Sequence, residues 1–73
     1  MSYKIIIFQS THHVLKAEKI LEKEGFKFDI IPTPKQFSSD CGMSIRVDVQ
    51  KSNIEDITKI LEANNLKYKL YDL

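Results

Sequence analysis

The sequence has a single cysteine, Cys41, and this scarcity excludes several kinds of small domain. A lone thiol cannot form an intramolecular disulfide, whereas small extracellular domains usually depend on several. With only two glycines, the chain has neither a glycine-rich phosphate-binding loop nor a Gly-x-Ser-x-Gly nucleophile elbow. We therefore expect a cytoplasmic protein that is not an enzyme.

Clustered basic residues and long apolar runs are also lacking. The formal net charge is +1, and lysine and arginine form no stripe of the kind that nucleic-acid-binding domains show. The longest apolar run, Ile5–Phe8, is too short to cross a membrane or to form the core of a signal peptide. We therefore expect neither nucleic acid nor a membrane as a partner.

Hydrophobic periodicity predicts six elements of secondary structure. A first strand over 3–9 is apolar on both parities, which is typical of a central strand buried on both faces. Alternating patterns predict further strands over 26–31, 43–49 and 66–70, the third of them apolar on one side only. Helices are predicted from Ser10 or Thr11 to about Glu24, before Gly25, and from a Ser52–Glu55 capping box to near Asn64-Asn65.

The order β-α-β-β-α-β predicts the α+β class and a ferredoxin-like split β-α-β-β-α-β sandwich, with a four-stranded antiparallel sheet and two helices on one face. We expect residues 1–73 to form one domain. Alternate residues of Ile5–Phe8 must then point to the open face and form an apolar strip there. This strip suggests that a homodimer or a protein partner uses the open face. Arg46 and Asp48 are expected on the same face as a solvated or cross-strand polar pair.

This topology places the segment after the first strand and the hairpin between the second and third strands at one end of the sheet. Cys41 is therefore expected near the first helix N-terminus, where unpaired N–H groups favour an anion and lower a thiol pKa. His12 or His13 can supply a proton or a positive charge there. Gly42 leaves the neighbouring sulfur approachable, whereas Asp40 opposes a thiolate.

Plainer interpretations of the same residues remain open. Cys41 can be a buried, inert thiol, and His12 and His13 can be ordinary helix-start residues. A zinc or copper site built from these three side chains lacks the usual ligand spacing and would need a second chain. We predict no metal and no cofactor.

Three segments carry a resemblance to a known family: Ser10-Thr11-His12-His13 followed by Ala17 and Glu18, Ile31-Pro32-Thr33-Pro34, and Ser38-Ser39-Asp40-Cys41-Gly42. Together they resemble small bacterial domains described as selenium/sulfur carrier protein-like, over nearly the whole chain.

The resemblance implies a cytoplasmic carrier that holds sulfur or selenium on Cys41 as a persulfide or selenosulfide. Its partners would be protein donors and acceptors such as cysteine desulfurases, selenium-using enzymes or redox proteins. Pro32, Thr33, Pro34, Ser38, Ser39 and Asp40 would shape the loop and present it to them. Sulfur carriers of tRNA thiolation instead place a Cys-Pro-x-Pro motif at a helix start, so their mechanism transfers only by analogy. The alternative function is a small interaction or regulatory module in which Cys41 is structural.

Overall fold

The computed structural model describes residues 2–37 and 42–73, and its elements follow the predicted order. They are β1 (Tyr3–Phe8), α1 (Thr11–Lys23), β2 (Asp29–Pro32), β3 (Met43–Asp48), α2 (Ile54–Ala63) and β4 (Tyr68–Asp72). The strands form one antiparallel sheet in the order β2-β3-β1-β4. The prediction of an α+β, ferredoxin-like sandwich is confirmed.

The strand register assigns each side chain to one face of the sheet, because residues paired across an antiparallel ladder point the same way. Ile6 pairs with Ile45 on one side and with Leu70 on the other, so these three share a face. Phe8 and Tyr68 belong to the same face, and the Tyr68 hydroxyl donates a hydrogen bond of 2.9 Å to Glu62 of α2. This is therefore the helix-covered face.

The core lies between the two helices and that face. Its buried helical residues are Val14, Ala17, Leu21, Ile57 and Leu61, and its buried residues on β1 and β3 are Ile6, Phe8, Ile45 and Val47. The remaining buried β1 residues, Ile5 and Ile7, alternate with these and lie on the opposite, open face. The predicted burial of β1 on both faces is confirmed. No helix in the described ranges is long and apolar enough to cross a membrane.

The strand boundaries differ from the prediction by one residue at β1 and β3 and by two or three residues at β2 and β4. β2 begins at Asp29, because Phe26 and Phe28 pack against the core before the chain joins the ladder. β4 begins at Tyr68, and Leu66 is buried ahead of it. Gly25 follows α1 with a φ of +82°, a left-handed conformation that glycine adopts without steric cost.

The predicted Ser52–Glu55 capping box is wrong. Asn53 is the N-cap of α2, and its side chain accepts hydrogen bonds from the backbone N–H groups of Glu55 and Asp56. The Ser52 hydroxyl is instead buried against the chain before β2, where it accepts from the Lys27 backbone N–H and donates to the Lys27 carbonyl. Ser52 therefore ties the start of α2 to the segment that enters β2.

We expect Ser52→Ala to lower the free energy of unfolding by about 1–3 kcal/mol, because both Lys27 backbone groups lose their partner. Urea unfolding followed by circular dichroism measures the change. Ser2→Ala, the same substitution at an exposed serine, is the control and should have little effect. Equal stability of the two variants would contradict the structural role given to the Ser52 hydroxyl.

The Tyr68–Glu62 contact predicts a pH dependence. Burial, and then the hydrogen bond to Glu62, raises the pKa of Tyr68 above the ordinary 10.0. The folded protein therefore holds the phenolic proton more tightly than the unfolded chain, so this stabilisation is complete below pH 10.0 and is lost as the pH rises through the folded-state pKa.

Alkaline titration of tyrosine absorbance should accordingly show one late-titrating group, absent from Tyr68→Phe. Tyr71→Phe is the matched control and should leave that late group in place. If Tyr68→Phe titrates like the wild-type protein, the contact does not hold the proton.

Candidate functional site

Most of the predicted functional residues belong to one end of the sheet, which we call the loop end. β1 and β2 finish there, while β3 and β4 start there, since Phe8 pairs with Tyr68 and Pro32 pairs with Met43. α1 begins at this end too, directly after β1. This arrangement agrees with the predicted placement of the His12–His13 segment and the β2–β3 connection at one end. Cys41, Ser38, Ser39 and Asp40 lie outside the described residues.

The two histidines occupy different environments at the start of α1. Ser10 is the N-cap, and its hydroxyl oxygen accepts from the backbone N–H of His13 at 3.5 Å. The same oxygen lies 2.7 Å from Nδ1 of the half-buried His13 ring. His12 is exposed. His13 is thus engaged in capping the helix, whereas the His12 ring faces solvent; the distance of either from Cys41 stays a prediction.

The base of the β2–β3 connection is tied to the sheet from both sides. The Thr33 backbone N–H donates to the Gly42 carbonyl at 3.2 Å, which extends the ladder one step beyond the strands. The Thr33 hydroxyl also shares a hydrogen bond with the hydroxyl of Ser44, which is fully buried. Thr33, predicted as a binding residue, therefore has a structural role.

Beyond this base, the chain turns back over the open face of the sheet. The Phe37 backbone N–H donates to the Pro34 carbonyl at 3.0 Å and closes a turn. The Phe37 ring then stacks on Tyr71 of β4, with ring centroids 4.7 Å apart and an interplanar angle of 17°. Tyr71 pairs with Ile5, so this stack lies on the open face.

Phe37 helps to bury the apolar strip of the open face, Ile5 and Ile7. Ile5 and Ile7 are 0% and 6% exposed, and Phe37 and Tyr71 pack against the cluster that includes them. Ser44 on the same face is also buried, so this face is covered at β3 although its β3 residues are polar, as the alternation predicts. A homodimer through the open face stays a prediction, but within the described chain this strip is already covered.

The other half of the open face is polar. Arg46 pairs with Asp29 on the neighbouring strand at 2.9 Å and lies 4.9 Å from the Tyr3 ring centroid. The hydrogen bond to Asp29 raises the pKa of Arg46 above its ordinary value. The partner of Arg46 is therefore Asp29, on the adjacent strand. The Asp48 carboxylate accepts a hydrogen bond from the backbone N–H of Gln50.

A cleft of about 410 Å³ lies between the Phe37 turn and β4 at the loop end. Its lining residues are Ile7, Phe8, Gln9, Phe37, Lys67, Tyr68 and Lys69. Sequence reasoning missed this cleft, although two signals were available: Phe37 is the one aromatic residue in a polar connection, and Lys67 and Lys69 share the parity of Tyr71.

The structure also bears in part on three further site predictions. A Cβ atom added at Gly42 would meet nothing within 4 Å, so space does not require glycine there. Among the described residues, no group of three or more His, Cys, Asp or Glu side chains is arranged to hold a metal ion, and Cys41 lies outside that set. Pro32 ends β2 as an exposed residue opposite Met43.

Comparison with protein families identifies the chain over almost its whole length. A family model described as "Putative Se/S carrier protein-like" matches residues 3–71. The chain belongs to this family. The match covers every helix and strand except the last residue of β4, and it includes the connection that carries Cys41. No curated protein and no solved structure matches the chain.

Membership of the family supports a carrier and not an enzyme. A carrier must receive its cargo from one molecule and deliver it to another, so interaction with partner proteins follows from the same description.

The Phe37–Tyr71 stack should be measurable as a coupling between the two residues. In a double-mutant cycle of Phe37→Ala and Tyr71→Ala, we expect a coupling free energy of about 0.5–1.5 kcal/mol, as is typical of aromatic pairs. Urea unfolding of the four proteins gives the value. A second cycle that replaces Tyr71→Ala with Phe26→Ala, at the far end of the domain, should be additive. Additivity in both cycles would contradict the stack.

Proposed function

We propose that the protein is a cytoplasmic carrier that holds sulfur or selenium on Cys41, as a persulfide or selenosulfide, between a donor and an acceptor protein. The observation that carries the proposal is the family match across a chain that has one thiol. Cys41 is the only residue in the sequence that can form a persulfide, so a chalcogen held covalently has one possible site.

The described residues on either side of Cys41 support this role. Phe37 is stacked on β4, and Gly42 accepts a hydrogen bond from Thr33. Cys41 is bonded to Gly42 and is four residues from Phe37, so chain length limits its Cα to about 14 Å from that of Phe37. In the sequence, Cys41 therefore lies between two residues that are held at the sheet.

The transfer chemistry needs no external oxidant or reductant. The Cys41 thiolate attacks the outer sulfur of a donor persulfide, R–S–SH. The donor S–S bond breaks as the new S–S bond forms, and the donor leaves as the thiolate R–S⁻ with the bonding electron pair. Delivery repeats this step with an acceptor thiolate, and a donor selenosulfide transfers selenium with the same balance.

Residues at the loop end can assist the thiolate. The N-terminus of α1 presents partial positive charge, and its first turn contains no acidic residue. His12 is the exposed ring available to hold or release a proton, whereas His13 is engaged with Ser10. A Cβ atom built on Gly42, the residue after Cys41, would meet nothing within 4 Å, which is compatible with the approach of a partner there.

The proposal predicts that Cys41 is reactive in the native protein. Alkylation of the reduced protein at a series of pH values should be rapid and should give an apparent pKa below about 8.5, the value for a free thiol. Treatment with sodium polysulfide should then add the mass of sulfur to the intact protein. Cys41→Ser is the control for both reactions and should show neither.

His12→Gln, with His13→Gln for comparison, tests whether a histidine lowers the apparent pKa of Cys41 in addition to the helix N-terminus. A rise in the apparent Cys41 pKa in His12→Gln alone would identify that ring as the assisting group. If alkylation of the wild-type protein requires denaturant, the thiol is structural. The carrier function is then wrong, and the interaction-module alternative takes its place.

A further inference from the structure

Charge is unevenly distributed along the long direction of the strands. Most acidic residues of the described ranges lie towards the end opposite the loop end. They are Glu22 and Glu24 at the end of α1, Asp29, Asp48 and Asp72 on the strands, and Glu55 and Asp56 at the start of α2, whereas Glu18 lies in the middle of α1. Glu62 is the described acidic residue closest to the loop end along α2, and its carboxylate accepts from Tyr68. The cations at the loop end are Lys35, Lys67 and Lys69.

Lys67 and Lys69 both line the cleft beside the Phe37 turn, and both are exposed. Lys69 pairs with Ile7 across β1 and β4, so it belongs to the open face, as does the Phe37 ring stacked on Tyr71. The described chain forms ion pairs between Lys4 and Asp72 and between Arg46 and Asp29, and neither involves a lysine of the cleft. Among the residues that the structure describes, Lys67 and Lys69 therefore have no carboxylate partner.

The walls of the cleft are partly apolar. The aromatic ring of Phe37 and the buried side chain of Ile7 lie beside the two ammonium groups and the exposed Gln9 amide. An apolar surface with a cationic rim complements a segment that has one apolar side chain flanked by carboxylates.

We infer that this cleft docks an acidic segment of a partner protein, with an apolar side chain against Phe37 and Ile7 and with carboxylates on Lys67 and Lys69. The inference rests on the proposed carrier function, since a carrier must present its thiol to protein donors and acceptors. Phe37 connects the two sites, because it forms a wall of the cleft and precedes Cys41 by four residues.

The experiment uses the full chain and a synthetic probe, a short capped peptide with one leucine between two pairs of glutamates. Backbone amide shifts are followed by NMR during titration. The largest changes should fall on the residues that line the cleft, and affinity should fall as salt is added. Peptides with glutamine in place of glutamate, or serine in place of leucine, should bind more weakly.

Charge reversal at the rim tests the two lysines directly. Lys67→Glu combined with Lys69→Glu should weaken peptide binding about ten-fold, because two exposed attractive pairs become repulsive. Lys19→Glu combined with Lys59→Glu, on exposed helical positions, makes the same change in net charge and should weaken it far less. Lys67→Gln with Lys69→Gln removes the attraction without adding repulsion and should give an intermediate loss.

Equal losses in the rim and helix variants, or shift changes that fall outside the cleft, would overturn the inference. Polysulfide loading of Cys41, followed by intact mass, reads the carrier function separately, because a small inorganic donor needs no docking. Normal loading of the wild-type protein together with failure of peptide docking would reject the cleft and leave the carrier function standing. Failed loading together with specific peptide docking would reject the carrier function and leave the cleft as an acidic-peptide site.

Discussion

The arrangement of the domain depends on one constraint: β1 is apolar on both faces, but the fold supplies helices for only one. Ile6 and Phe8 are buried beneath α1 and α2, whereas Ile5 and Ile7 point away from them. Exposing two isoleucines on an open sheet would forfeit several kcal/mol of burial, at about 1.5–3 kcal/mol for each side chain. The β2–β3 connection covers this second face by returning Phe37 onto Tyr71.

That covering segment also carries Cys41, so the packing contact and the proposed carrier residue belong to the same short stretch of chain. The polar base at Thr33 and Ser44 and the aromatic contact at Phe37 fix the connection at two points on the sheet. Phe37 precedes Cys41 in the sequence and Ser44 follows it, so anchored residues flank the proposed carrier residue. The cleft beside Phe37 exists because the turn is held above β4 and does not extend into solvent.

The sequence predicts the features that depend on hydrophobic periodicity. The prediction fails where a side chain bonds to a residue that is distant in the sequence. The order of elements, the α1 stop at Gly25 and the double burial of β1 all follow from local pattern. Ser52 has the spacing of a capping box, but its hydroxyl bonds to Lys27, a residue on another element. Nor does alternation along β3 reveal that Ser44 is buried, because its cover comes from a loop that has no period.

The candidate site likewise has a part that the sequence predicts and a part that it does not. Cys41 and the histidine pair are visible in the sequence as residue types, while the cleft arises only when β4 and the Phe37 turn are brought together by the sheet order. The contacts that anchor the turn, Phe37 on Tyr71 and Thr33 on Ser44, involve no charged group. Ionic strength is therefore expected to screen the charge of the lysine rim without weakening the two contacts that anchor the described part of the connection.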